Sequence, residues 1–173
     1  AVGLSGFYLA VFLILFALIL RPVGFKFRGK VENTRWKQTW DWALFIGGAV
    51  PALIFGVAVG NVLLGVPFHF TPELRPVYTG GFFALLTPFA LLAGLVSVSL
   101  LVAHGAAMLV IKTDGPIANR AARYGSVAAL AGALLFVGAG VWIATGIDGF
   151  RIESVVDGGL PSNPLHKQVI AAP

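Results

Sequence analysis

The sequence predicts an all-α integral membrane protein with four transmembrane helices. Three observations predict it. Apolar residues make up 58% of the 173-residue chain and charged residues only 11%. A soluble domain carries roughly 25% charged residues. Four long apolar runs contain no Asp, Glu, Lys or Arg, and ~20 such residues at ~1.5 Å rise each suffice to cross a bilayer.

The first span covers about residues 3–20 and should end at Arg21-Pro22, because proline disfavours helix at the residue before it. The second covers about 43–64, with a kink expected at Pro51, whose ring removes a backbone donor. The third covers about 88–111. Thr87 supplies a capping hydroxyl, Pro88 suits the first helical position, and Gly115-Pro116 marks the stop. The fourth covers about 124–147 and ends before Asp148-Gly149.

Charge orients these spans. Arg21, Lys26, Arg28, Lys30, Arg35 and Lys37 fall in the loop 21–42, and Lys112, Arg120 and Arg123 fall between the third and fourth spans. Nine of the twelve basic residues therefore lie on one side, against Arg75, Arg151 and Lys167 on the other. Lys and Arg are retained on the cytoplasmic face. The N-terminus is thus expected outside, 21–42 as a cytoplasmic basic loop and 148–173 as a periplasmic tail. The net charge of +5 follows from this orientation and needs no nucleic-acid partner. The chain begins without methionine, and its first apolar run lacks the basic flank and cleavage site of a signal peptide. Residues 1–173 are accordingly expected to be one transmembrane region inside a longer protein.

Aromatic residues mark the same boundaries: Trp36, Trp40 and Trp42 on the basic side, Phe68, Phe70, Tyr78, Phe82 and Phe83 on the other. Trp36 and Trp40 share one helix side, so Thr34 to Asp41 reads as an amphipathic lead-in to the second span. Helices associate in lipid through close packing of small residues. The second span carries Gly48, Ala52, Gly56 and Gly60 at four-residue spacing, and this stripe is expected to touch another helix. Ala90, Gly94 and Ser97 on the third span and Gly125, Ala129 and Ala133 on the fourth are weaker patterns of the same kind.

The chemistry available is narrow. With no cysteine, disulfides and thiolate-held metals are excluded. An unpaired charge at mid-bilayer costs a few kcal/mol and is kept there only for a purpose. Its absence argues against a self-contained ion transporter. His104 is the one histidine in a span, with Met108 one turn on. Both are haem-ligand types, but residues four apart share one side and cannot take opposite axial positions. Hydrogen bonding to a neighbouring helix is the simpler role, and no haem-binding residue or metal site is expected. His69 and His166 have no ligand partner at metal spacing. Asp148 and Asp157 read as solvated, and Gly47-Gly48, Gly80-Gly81 and Gly158-Gly159 as turn or packing glycines. No catalytic residue is expected.

Several stretches together resemble a known family. RPVGFKFRGK (Arg21 to Lys30), TRWKQTWDW (Thr34 to Trp42), GNVLLGVPF (Gly60 to Phe68), GGFFALLTPFALLAGLVSVSLL (Gly80 to Leu101), GIDGF (Gly146 to Phe150) and SNPLHKQV (Ser162 to Val169) are similar, in order, to subunit II of cytochrome bd-type quinol oxidases. The resemblance implies a respiratory complex of the bacterial cytoplasmic membrane that passes electrons from quinol to oxygen. In it, haem b and haem d belong to the partner subunit I, and this chain binds no haem itself. A structural quinone or lipid in subunit II is compatible with it. It also implies a subunit of two four-helix bundles, about twice this length, that scaffolds subunit I and helps deliver cytoplasmic protons. Arg21 and Lys30 match the family's pattern as candidate proton-entry residues, with headgroup binding or helix capping as their other reading. Lys26 stands where an aspartate is expected and cannot serve as an acidic relay, and the loop also has features of the cyanide-insensitive branch. The first two spans are expected to pack as one pair and the last two as another. Composition alone also allows a fragment of a transporter or permease, or a non-catalytic membrane interaction protein.

Overall fold

The computed structural model describes residues 7–66, 68–73, 75–78, 80–153 and 167–172. Four long helices dominate: α1 (Tyr8–Arg28), α2 (Thr34–Leu64), α3 (Pro88–Lys112) and α4 (Pro116–Gly146). All four are long and apolar enough to cross a membrane. The start of the first expected span, at residue 3, and the tail positions Asp157, Gly158-Gly159 and His166 lie outside the described residues.

Three boundaries differ from the sequence reading. Helix α1 does not stop at Arg21-Pro22 but runs through Pro22 to Arg28. Proline is tolerated in membrane helices because neighbouring groups satisfy the freed backbone. Helix α2 begins at Thr34, so the lead-in and the second span are one continuous helix, with Pro51 inside it. Its start is set by Asn33, whose side-chain oxygen accepts from the Arg35 amide at 2.9 Å. Of the expected loop 21–42, only residues 29–33 are non-helical. Helix α4 begins eight residues earlier than expected, at Pro116, after Gly115 with a φ of 67°. In each case helix persists past the last apolar residue, because polar side chains at a helix end do not disfavour helix; they only leave the hydrocarbon. Helix α3 starts as its sequence implies, with Thr87 capping the Ala90 amide at 3.2 Å and Pro88 opening the helix.

Two short antiparallel hairpins depart from a purely helical chain. Strand β1 (Phe68–Phe70) pairs with β2 (Pro76–Tyr78), placing His69 opposite Val77. Strand β3 (Gly149–Ile152) pairs with β4 (Val169–Ala172). A 3-10 turn, Phe82–Leu85, joins β2 to α3.

Packing is sequential: α1 lies on α2, α2 on α3, and α3 on α4, while α1 and α4 make no comparable contact. The first two helices pack as one pair and the last two as another, and α2 and α3 add a third tight seam between the pairs. The helices form an open layer and not a closed bundle. The outer faces are apolar, with Phe12, Phe16, Leu134 and Phe136 all more than half exposed. Water would not tolerate so large an apolar surface on a soluble monomer, whereas lipid chains and neighbouring membrane helices cover it without penalty.

Candidate functional site

Two regions concentrate the specific side-chain contacts. The first is the α2–α3 seam. A Cβ built on Gly56 would meet the Ala93 carbonyl oxygen, the Gly94 Cα and the Ser97 Cβ at 2.6 Å each. One on Gly60 would meet the Ala90 Cα at 2.7 Å. The two backbones are thus as close as glycine allows, and dispersion gains from such approach drive association in lipid. The Ser97 hydroxyl donates to the Ala52 carbonyl at 2.9 Å, which closes the seam one turn further along.

Gly48 does not belong to that surface. A Cβ there would meet the Arg21 guanidinium on α1 at 3.5 Å. Four-residue spacing advances about 40° per step on a helix of 3.6 residues per turn. Three steps carry Gly48 about 120° around from Gly60, so the stripe read as one face serves two neighbours. The pattern on α4 divides likewise: a Cβ on Gly125 would meet the Ala106 Cβ at 2.7 Å, whereas Ala133 is exposed and the buried positions are Ala121, Gly132 and Ala139.

Asn61 ends the α2 seam and is absent from the sequence reading, being neither charged nor a histidine. It is 3% exposed, and its amide nitrogen donates to the Val57 carbonyl at 2.8 Å and to the Leu85 carbonyl at 2.7 Å. The signal available was a lone carboxamide next to Gly60, one turn beyond Gly56. It ties the 3-10 turn to the end of α2.

The second region is the basic end, where α1 meets α2. Arg28 forms an ion pair with Asp41, its Nη2 donating to Oδ2 at 3.2 Å. The Trp36 indole donates to the Phe27 carbonyl at 2.8 Å. Phe27 stacks on Trp40 with ring centroids 5.7 Å apart, and the Lys30 ammonium sits 5.1 Å from the Phe27 centroid. Trp40 Nε1, by contrast, is buried without an acceptor among the described residues. Arg21 lies deeper. Buried Ala10, Ile14, Ala17 and Gly24 form the α1 stripe, and Arg21 falls in its gap. Its stem runs beside Gly47, where a Cβ would meet the Arg21 Cγ at 3.1 Å and the Ala17 carbonyl at 2.8 Å. Arg21 and Lys30 are therefore held by different surroundings, one against α2 glycines and the other over an aromatic ring of the last turn of α1.

His104 and Met108 both face outward from α3. Among the described residues no group of three or more His, Cys, Asp or Glu is placed to hold a metal ion. His104 and Met108 on one side of one helix cannot supply both axial ligands of a haem. A largely apolar cleft of about 380 Å³ opens between α2, α3 and α4, walled by Phe55, Phe89, Leu100, Phe136 and Ile143.

The fold and these contacts define a multi-pass helical membrane protein, held by close glycine packing and carrying a dense basic end. The chain belongs to the cytochrome bd terminal oxidase subunit II family, whose sequence model matches residues 1–172. It is 50% identical over 169 residues to a probable cytochrome oxidase subunit 2 of Haemophilus influenzae, covering 98% of this chain and 44% of that protein. It is 49% identical over 170 residues to the cytochrome bd-I ubiquinol oxidase subunit 2 of Escherichia coli K12, covering 98% and 45%. A cytochrome bd ubiquinol oxidase subunit 2 of Bacillus subtilis is 31% identical over 121 residues, 70% of this chain and 35% of that protein. The chain thus spans a little under half the length of the first two relatives. The family places it in a bacterial inner membrane and removes the ground for the transporter reading.

Proposed function

We propose that the chain forms part of subunit II of a respiratory quinol:oxygen oxidoreductase, in which it scaffolds the haem-bearing subunit I. The observation that carries this reading is the match along residues 1–172 to the subunit II family. Haem b and haem d would reside in subunit I, supplying the electron transfer and oxygen reduction. This chain's own residues hold helices together and present a surface; they do not touch the reacting atoms.

In this reading the N-terminus lies outside, the linker between α1 and α2 and the ends of α3 and α4 near residues 112–123 face the cytoplasm, and 148–173 faces the periplasm. The lopsided distribution of Lys and Arg supports that orientation. Seen with the parts of the subunit that flank this stretch in its relatives, α1–α2 and α3–α4 would each join a four-helix bundle. The basic end is the candidate place for protons to enter, with Arg21 and Lys30 as the residues concerned and Lys26 unable to replace an acidic relay. The cleft between α2, α3 and α4 has the apolar lining that a structural quinone or lipid tail requires.

The test is a reduced-minus-oxidised visible spectrum of the complex purified through a tag on the full-length parent. Haem b and haem d bands with a larger partner co-purifying are expected. Haem b without haem d would point to the cyanide-insensitive branch. A colourless preparation from an intact complex would overturn the proposal.

A further inference from the structure

Phe27 meets Lys30 at both ends of the lysine. The Lys30 amide donates to the Phe27 carbonyl at 3.1 Å, and the Lys30 ammonium sits 5.1 Å from the centroid of the Phe27 ring. We propose that Phe27 is the positioning residue for Lys30, its ring holding the ammonium while Trp36 and Trp40 hold Phe27. The inference rests on the reading of Lys30 as a place of proton entry and names the device that fixes it there.

Three observations carry the proposal. Phe27 is itself held from two sides. It lies in the last turn of α1, where helix carbonyls lack an intrahelical donor. Its carbonyl accepts from the Trp36 indole at 2.8 Å as well as from the Lys30 amide. Its ring stacks on Trp40 with an interplanar angle of 21°, and Trp40 meets Trp36 edge to face at 5.8 Å. Lys30, Phe27, Trp40 and Trp36 thus form one ladder between the end of α1 and the start of α2.

Close approach of the helices is the second. A Cβ on Gly24 would meet Leu44 Cδ2 at 2.9 Å and Trp40 Cε3 at 3.6 Å. The absence of a side chain at Gly24 lets α2 come up to α1 one turn before Phe27, which brings Trp40 to the ring.

Charge is the third. Lys30 is exposed and forms no ion pair among the described residues, while Asp41 is taken by Arg28. A ring face attracts a cation without neutralising it. The ammonium donors on the side away from the ring stay open to water. Such a group is fixed in place and still exchanges protons with solvent, as a point of entry requires.

The test uses the full-length parent in its complex, reconstituted in liposomes, with two readouts. One is oxygen uptake driven by a short-chain ubiquinol. The other is acetylation of Lys30 by acetic anhydride, read by peptide mass spectrometry against Lys26 and Lys37. Phe27→Leu should raise the relative acetylation of Lys30 roughly twofold or more, the scale of an exposed cation–π contact. Phe27→Tyr, which keeps a ring, should not raise it. Lys30→Gln and Phe27→Leu should both slow oxygen uptake, the second by roughly twofold, and Phe27→Tyr should recover most of that loss. Because Phe27 acts through Lys30, the double variant should be no slower than Lys30→Gln alone.

Unchanged acetylation in Phe27→Leu would overturn the proposal. So would losses that multiply in the double variant, the result expected of a merely structural role. Acetylation that rises while Lys30→Gln keeps full oxygen uptake would bear out the hold on Lys30 and overturn the proton-entry reading instead. Should Phe27→Leu fail to assemble, Trp36→Phe takes its place. It removes the donation to the Phe27 carbonyl but keeps a ring, and changes in the same directions are expected.

Discussion

The Asn61 carboxamide donates to the Leu85 carbonyl at 2.7 Å and to the Val57 carbonyl at 2.8 Å, so both N–H groups of one buried side chain are used. One is spent within α2 and the other on the turn that leads into α3. Asn61 therefore sets where the chain re-enters the membrane after the β1–β2 hairpin.

Asn61→Leu should destabilise the protein by about 1–3 kcal/mol, the cost of leaving the buried Leu85 carbonyl without a donor. Thermal unfolding of the full-length complex would show it. Asn61→Gln, which keeps the donor on a longer stem, should lose less. A wild-type melting curve for Asn61→Leu would remove the clamp assigned to this residue.

Gly56→Leu and Gly60→Leu should prevent assembly, because even a Cβ would meet backbone atoms of α3 at 2.6 to 2.7 Å. Backbone cannot rotate away as a side-chain tip can, and overpacking of this kind costs about 1–3 kcal/mol or more. Gly48→Ala should be tolerated, since its Cβ would sit at ordinary contact distance from the Arg21 guanidinium. Native gel electrophoresis of the three variants separates these outcomes.

Ser97→Ala should cost about 0.6 kcal/mol, the average for a side-chain hydrogen bond between membrane helices, because it removes only the donation to the Ala52 carbonyl. Ser97→Leu should behave instead like Gly56→Leu, since the Ser97 Cβ already crowds Gly56. Comparing the two by thermal unfolding distinguishes the hydrogen bond from the space it occupies.

Asp41→Asn should change stability little, because both partners of the Arg28 ion pair are about half exposed and such pairs are screened by water and salt. Any loss should shrink as salt is raised. A large loss that does not change with salt would mean that the pair is covered in the complex.

In the β1–β2 turn, the Glu73 carboxyl is held below the usual carboxylate range by the Thr71 hydroxyl and by a backbone amide. A depressed folded value means that the charged form supports the turn above the ordinary carboxyl range, and that the support is lost as pH falls through the depressed value. The protection factor of the Val77 amide should fall slightly on acidification in wild type and not in Glu73→Gln.

Composition and run length alone determined that the chain crosses a membrane with four helices, because charge-free runs of this length admit few other folds. Local chemistry also placed the start of α3, where a capping threonine precedes proline. Helix ends elsewhere were not legible: polar residues at 21–28, 34–42 and 116–123 mark where hydrocarbon stops, and helix continues past that point. Tertiary structure decided which neighbour each glycine meets. The four-residue stripe from Gly48 to Gly60 winds around α2, so Gly56 and Gly60 meet α3 while Gly48 meets Arg21 of α1. It also decided that Asn61 is a clamp and that Arg21 lies against Gly47 and Gly48, because both depend on backbone that the fold brings from distant parts of the chain.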